Sequence, residues 1–241
     1  MKQPPDLQTM TNLPGKTVNF RRFASKCLAD KLTAFAGISE RAWSMIEIKY
    51  TGEALWERIE RAVEKVKDRM RRVTETLNAA EIPYAVIGGN AVQHWVAQVD
   101  ESAVRNTQDV DIILNESDLE RAIAVLEQVG FSFRRSANVN MFLDGPQAGA
   151  RDAVHVIFAG QKVRPEYPEP VPTIEQFDLM GTARTLPIEK LITMKLTSFR
   201  RKDQVHLLDM ISLGIIDHTW LERFSPVLRD RLLALLNDPE G

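Results

Sequence analysis

The chain has 241 residues, a formal charge of −2 and a single cysteine, Cys27. Hydrophobic residues make up 44% and charged residues 27%, which is the composition of an ordinary globular protein with a real core. That balance excludes a globally basic nucleic-acid binder, a disulfide framework and a cysteine-based zinc site within one chain. The N-terminus has no long apolar h-region and no stretch approaches about 18 apolar residues, so neither a signal peptide nor a membrane span is expected, and the expected location is cytoplasmic.

Residues 1–19 are read as a flexible leader, with three prolines before Lys16. Residues 20–80 are read as a helical extension. Phe23, Cys27, Leu28, Leu32, Phe35 and Ala36 fall at helical spacing, with Arg21, Arg22, Lys26 and Lys31 on a basic face. That face reads as a solvated helix surface or as a contact for nucleic acid or a partner chain. Glu53 to Ala80 is one long amphipathic helix, its apolar stripe running through Leu55, Ile59, Val66, Met70, Val73 and Leu77.

Residues 81–184 form the expected core. Tyr84 to Ile87 is a buried strand closed by the tight turn Gly88-Gly89. Asn90 is placed to cap a short helix through Ala97 that carries His94, for which a core or capping role is expected. Gln98 to Val104 reads as a polar loop. Val110, Ile112, Ile113 and Leu114 make a second apolar run, which carries Asp109 and Asp111 at i and i+2. On a strand both carboxylates then share one face, roughly 7 Å apart. Such a pair is either a solvated strand end or a site for a cation that relieves the repulsion, and hard oxygen donors suit Mg2+ bound together with phosphates. A capped helix follows to Gly130. A hairpin is expected from Phe131–Phe133 and Asn138–Leu143, and then a strand from Ala153 to Phe158 centred on His155. Asp152 has the opposite alternation parity to His155 and is expected on the other face. Gln161 to Pro172 is proline-rich and extended, either a packed surface loop or a rim with Lys162 and Arg164 near phosphates.

Residues 185–241 are read as a C-terminal helical region. Leu186 to Phe199 forms a helix carrying Lys195, and Arg200 to Met210 continues into a second. Arg201, Lys202 and Asp203 are expected to make a structural ion-pair corner, and Leu213 to Leu236 a helical cap. The predicted class is α/β (α+β): a mixed sheet flanked by helices, with an N-terminal helical extension and a C-terminal helical cap.

The order of parts, Ile87-Gly88-Gly89 followed by Asp109-Val110-Asp111-Ile112, resembles the nucleotidyltransferase superfamily that shares the DNA polymerase beta catalytic fold. Within it the chain looks most like the bacterial group around abortive-infection nucleotidyltransferase toxins, through Arg105-Asn-Thr107-Gln-Asp109. The resemblance implies transfer of a nucleoside monophosphate from a nucleoside triphosphate to an acceptor (RNA, protein or a small molecule), with Mg2+ or Mn2+ held by Asp109 and Asp111. It implies nucleotide contacts at Gly88, Gly89, Asn90, Arg105, Thr107 and Lys195. Arg105 is then a phosphate clamp or the partner of a nearby acid, and Lys195 a triphosphate contact or a snorkelling surface lysine. Two departures stand out: the spacer from Gly89 to Asp109 is longer than the family's, and His155 occupies the place of a third catalytic carboxylate. Histidine there either acts as ligand or base, or marks a fold that binds without catalysis. A third reading is a toxin-type module restrained by an antitoxin partner. A dinucleotide-binding reading is weak, because no third glycine follows at the required step.

Overall fold

The computed structural model describes residues 48–136, 139–149 and 152–239. The chain divides into two compact units, Met1–Thr51 and Gly52–Gly241, and every element described here belongs to the second. The helix expected within residues 20–47 and the leader before it lie outside the described residues.

The second unit is built on one seven-stranded mixed sheet of order β3-β4-β5-β2-β1-β7-β6. Its strands are β1 (Tyr84–Ile87), β2 (Val110–Leu114), β3 (Phe131–Ser136), β4 (Val139–Asp144), β5 (Ala153–Phe158), β6 (Asp178–Met180) and β7 (Ala183–Thr185). The central pairs are antiparallel β1–β2 and parallel β2–β5, while β1–β7 is parallel and the hairpins β3–β4 and β6–β7 are antiparallel. This is the mixed sheet with flanking helices that the sequence predicts.

Helices cover both faces. On one face, α1 (Glu53–Ala79) and α3 (Leu119–Gln128) bury Val73, Leu77, Leu119, Ala122 and Leu126 against Tyr84, Val86, Ile112, Val154 and Val156. On the other, α2 (Gly88–Ala97), α4 (Ile188–Ser198), α5 (Arg201–Ser212) and α6 (Pro226–Asn237) pack over Ala85, Ile87 and Ile113. Because both faces of β1 are covered, all four of its residues are buried, and the strand reads as an unbroken apolar run rather than an alternating one.

Period-two alternation assigns the site to a face. Ile113 belongs to the core under α2 and α4, so Asp109 and Asp111 share that side of β2. On β5, Ile157 packs on the same side and Val154 and Val156 on the other, so His155 joins the two acids. The register pairs Asp111 directly with His155.

Four local expectations are revised. The helix after β1 begins at Gly88, so Asn90 sits inside its first turn instead of capping it. In the segment read as the polar loop, Glu101–Ala103 forms a 3-10 turn capped by Asp100, which accepts from the Ser102 amide at 2.8 Å. The proposed helical cap from Leu213 is split: Gly214 has φ +69°, a 3-10 turn covers His218–Arg223, and α6 starts at Pro226. The strands β6 and β7 had no counterpart in the sequence reading.

Arg69 ties α1 to the sheet. The residue is 2% exposed, and its guanidinium donates to Asp144 and Asp152, each at 3.1 Å, and to the Gln108 carbonyl at 3.4 Å. Asp152 is thereby engaged away from Asp111, as the parity argument requires.

Candidate active site

The site sits where β1 ends, beside the C-terminal-helix pair. The β1–β2 register sets Ile87 opposite Asp111, so Gly88 comes down against the Asp111 side chain. A Cβ built on Gly88 would fall 2.1 Å from Asp111 Oδ2, and Gly88 has φ +69°, so only glycine fits on both counts. A Cβ on Gly89 would meet the Thr107 side chain at 2.8 Å. The Gly-Gly pair thus admits two side chains of the chain itself, Asp111 and Thr107.

The loop that delivers Asp109 is anchored repeatedly. Asn90 donates to the Asp109 carbonyl at 2.8 Å, and the Thr107 hydroxyl reaches the same carbonyl at 3.5 Å. Gln93 donates to the Arg105 carbonyl at 2.6 Å. Arg105 itself is no free phosphate clamp: Nε and Nη2 bind the two Asp209 oxygens on α5 at 2.6 and 3.0 Å. Of the two alternatives open for Arg105, the structure supports pairing with an acid.

His155 Nδ1 lies 3.5 Å from Asp111 Oδ1. The neighbouring Asp111 carboxylate raises the imidazole above its ordinary value, against a smaller opposing effect of burial, and Asp109 adds to the rise.

Of the two alternatives open for Lys195, the structure excludes the surface lysine: it is 5% exposed and lines the cleft, with Nζ 3.2 Å from Asp203 Oδ1 and 3.0 Å from His206 Nδ1. Burial lowers its pKa, opposed by Asp203. Asp203 also accepts from Arg200 Nε at 2.7 Å and from the Ser198 hydroxyl at 2.7 Å. Burial acting alone would raise Asp203; Arg200, Lys195 and Ser198 outweigh it and hold the carboxyl at about 2. The expected corner of Arg201, Lys202 and Asp203 therefore exists in altered form, with Lys195 and Arg200 as the partners of Asp203. His206 is held neutral, at about 4, first by burial and then by the Lys195 charge.

Of these groups, Gly88, Asp111, Lys195, Ser198, Arg200 and Asp203 line a cleft of about 170 Å³, whereas Asp109 and His155 are not among its lining residues and Gly89, Arg105 and His206 line a separate small depression. Gly88, Asp111, Lys195, Ser198, Arg200 and Lys202 line the polar part of the cleft, and Ile157, Tyr167, Pro170, Val171, Leu191 and Met194 its apolar part. The proline-rich segment is a rim: Gly160 donates to the Val171 carbonyl at 2.9 Å and Val171 to the Gln161 carbonyl at 2.8 Å, closing the loop at its base. Its cleft-facing residues are Val163, Tyr167, Glu169, Pro170 and Val171. Arg164, expected near phosphates, pairs with Glu166 at 3.8 Å, and Lys162 lines a separate surface depression with Glu116. His94 stands outside the site, in edge contact with Trp95 at 5.1 Å.

Among the described residues, no group of three or more His, Cys, Asp or Glu side chains is arranged to hold a metal ion. The donor set still suits a hard divalent cation that shares its shell with substrate phosphate and water, a shell needing only one or two protein carboxylates. The close approach of Gly88 leaves room for the Asp111 carboxylate beside the helix start.

His206 gives a stability prediction. Its folded pKa of about 4 lies below the ordinary 6.5, so the unfolded chain binds the extra proton between those values. The corresponding stability is fully present above pH 6.5 and falls as the pH drops toward 4. Urea unfolding of wild type and His206→Gln across that range is expected to show a wild-type loss larger by about 2 kcal/mol, below the full shift because the ring is partly exposed. Equal slopes would contradict the burial of a neutral imidazole.

No protein-family model matches the chain, and no curated protein matches it. Solved structures with a similar course include an antigenic nucleotidyltransferase-like protein from Paracoccidioides brasiliensis, at 16% identity and TM-score 0.48, covering 73% of this chain and 90% of that one. The antibiotic-resistance factor ANT(2'')-Ia, in complex with adenylyl-2''-tobramycin, is 15% identical with TM-score 0.47, covering 69% and 96%. A nucleotidyltransferase-assigned protein from H. pylori is 17% identical with TM-score 0.44, covering 75% and 79%.

Proposed function

We propose that the chain is a nucleotidyltransferase that moves a nucleoside monophosphate from a nucleoside triphosphate to an acceptor and releases pyrophosphate. The observation that carries the reading is the close approach of Asp111, on β2, to a glycine-only helix start in a cleft that Lys195, Arg200 and Lys202 also line, with Asp109 two residues before it in the chain. Asp109 and Asp111 are the residues that would hold Mg2+. When bound, the ion supplies neutralisation of the reacting phosphate and orientation of the attacking oxygen. The chain does the rest by positioning and electrostatics, the dominant contributions in phosphoryl-group transfer.

The Gly88-Gly89 start of α2 offers backbone N–H groups where a phosphate approaches. Asn90, Gln93, Thr107 and Arg69 fix the loop bearing Asp109 through its carbonyls, which leaves the carboxylate itself free of these ties. Lys195 places a buried positive charge across from Asp111, held by Asp203 and His206. The apolar rim around Tyr167, Pro170 and Val171 excludes water and offers a surface for the nucleoside. His155 shares the Asp111 carboxylate and stands ready to take a proton near the acids.

The test is pyrophosphate release and label transfer from the four labelled nucleoside triphosphates with Mg2+. Asp109→Ala/Asp111→Ala is expected to lower turnover about 100-fold or more. Turnover unchanged in the double variant, or no nucleotide bound and turned over by well-folded wild type, would overturn the reading.

A further inference from the structure

The cations around the cleft divide into those that are committed and one that is not. Arg105, the residue that the family resemblance makes a phosphate clamp, is locked to Asp209 by two bonds. Lys195 and Arg200 share the single carboxylate of Asp203, at 3.2 and 2.7 Å. Arg201 donates to Gln204 at 3.2 Å. Lys202, in the first turn of α5, lines the cleft together with Gly88 and Asp111, is exposed, and has no carboxylate partner among the described residues.

The charge balance says what such a group is for. Three cations, Lys195, Arg200 and Lys202, line the cleft beside Asp203 and the rim carboxylate Glu169, which leaves one positive charge in excess among these five before Asp111 is counted. Asp109 and Asp111 oppose it, and a divalent ion held between them would cancel that opposition. What remains attracts a ligand with several negative charges close together. A lysine on a flexible stem suits mobile, multiply charged phosphate, which needs a point charge more than a fixed fork.

We propose that Lys202 is a polyphosphate-binding residue of the cleft, contacting the phosphates of a nucleoside triphosphate beyond the one that reacts. This rests on the nucleotidyltransferase reading and adds a binding residue that the motif-based assignment passed over. The contact distinguishes triphosphates from monophosphates and nucleosides, because only the former reach a second anionic centre.

The experiment is equilibrium binding to the full chain with Mg2+ present, using each nucleoside triphosphate, its monophosphate, its nucleoside and inorganic tripolyphosphate. Lys202→Ala is expected to weaken triphosphate and tripolyphosphate about tenfold or more, the scale of one charge-assisted hydrogen bond. Lys202→Glu should weaken them further, and Lys202→Arg should restore most of the loss. Nucleoside and monophosphate should change by less than about twofold. The residue is exposed, so the melting temperature of each variant is expected to match wild type and a folding defect is checked directly. Triphosphate binding unchanged in Lys202→Ala, or equal weakening of triphosphate and nucleoside, would overturn the assignment while leaving the nucleotidyltransferase reading standing. Wild type that binds no triphosphate would overturn both.

Discussion

Asp203→Ala is expected to cost about 3–5 kcal/mol of stability, the penalty for removing one partner of a buried ion pair. The reason lies in what the substitution leaves behind. Asp203 is 1% exposed and Lys195 5%, and the ammonium would retain only His206 as a side-chain partner. Arg200 and the Ser198 hydroxyl would lose the same acceptor, and so would the backbone N–H of Arg200, which donates to Asp203 at the start of α5. For a folded unit of this size the loss corresponds to a fall in Tm of roughly 6–20 °C. Thermal and urea unfolding measure it. The double variant Lys195→Met/Asp203→Ala is expected to recover part of the loss, since it removes the stranded charge as well as its partner. A single-variant cost below about 1 kcal/mol would show that the pair is not buried as described, since a cost that small belongs to exposed pairs.

This buried cluster also marks the limit of what the sequence made legible. The central strands were readable because a doubly covered strand leaves a continuous apolar run, and Tyr84–Ile87 and Val110–Leu114 are such runs. The shared face of Asp109 and Asp111 was readable because side chains alternate with period two, whereas the pairing of His155 with Asp111 needed the β2–β5 register that only the fold supplies. Arg69 shows the converse. Its position on a helix dense in charge looks like solvated surface, yet it is buried among Asp144, Asp152 and the Gln108 carbonyl. Only the tertiary approach of α1 to the ends of β4 and β5 creates that environment.

Lys195 was ambiguous for a similar reason. A lysine on an amphipathic helix has no local signature of burial. One signal was available: Asp203, His206 and Asp209 recur every third residue on α5, which sets them near one face of that helix. Two of them hold Lys195 and the third holds Arg105. The strands β6 and β7 have three residues each, too short for alternation to register against loop composition. The partner of Arg105 followed from neither spacing nor composition, because ion pairing across 104 residues, as between Arg105 and Asp209, is decided by the fold.

Gly88→Ala is expected to abolish most activity, about 100-fold or more, while leaving a folded protein, because displacement of a catalytic group by about 1 Å is enough for a loss of that size. Two effects act together at this position. The φ of +69° strains any residue with a Cβ, at about 1–2 kcal/mol. Crowding is the second: the new methyl would lie 2.1 Å from Asp111 Oδ2 and 2.9 Å from its Cγ, so the carboxylate must move. Strain and crowding can be separated. Gly145 has φ +98° but an added Cβ there would have nothing within 4 Å, so Gly145→Ala carries strain alone. It is expected to lose comparable stability and to keep its turnover and Mg2+ dependence. Gly89→Ala has no positive-φ strain and meets the Thr107 side chain at 2.8 Å, which can give way more easily than the strand-borne Asp111. An intermediate loss of activity is expected there. The order Gly88 above Gly89 above Gly145 in activity loss, set against the similar stability losses of Gly88→Ala and Gly145→Ala, is the signature of a glycine retained to admit Asp111. If Gly88→Ala and Gly145→Ala proved equally active, the close approach of the helix start to Asp111 would have no part in the chemistry.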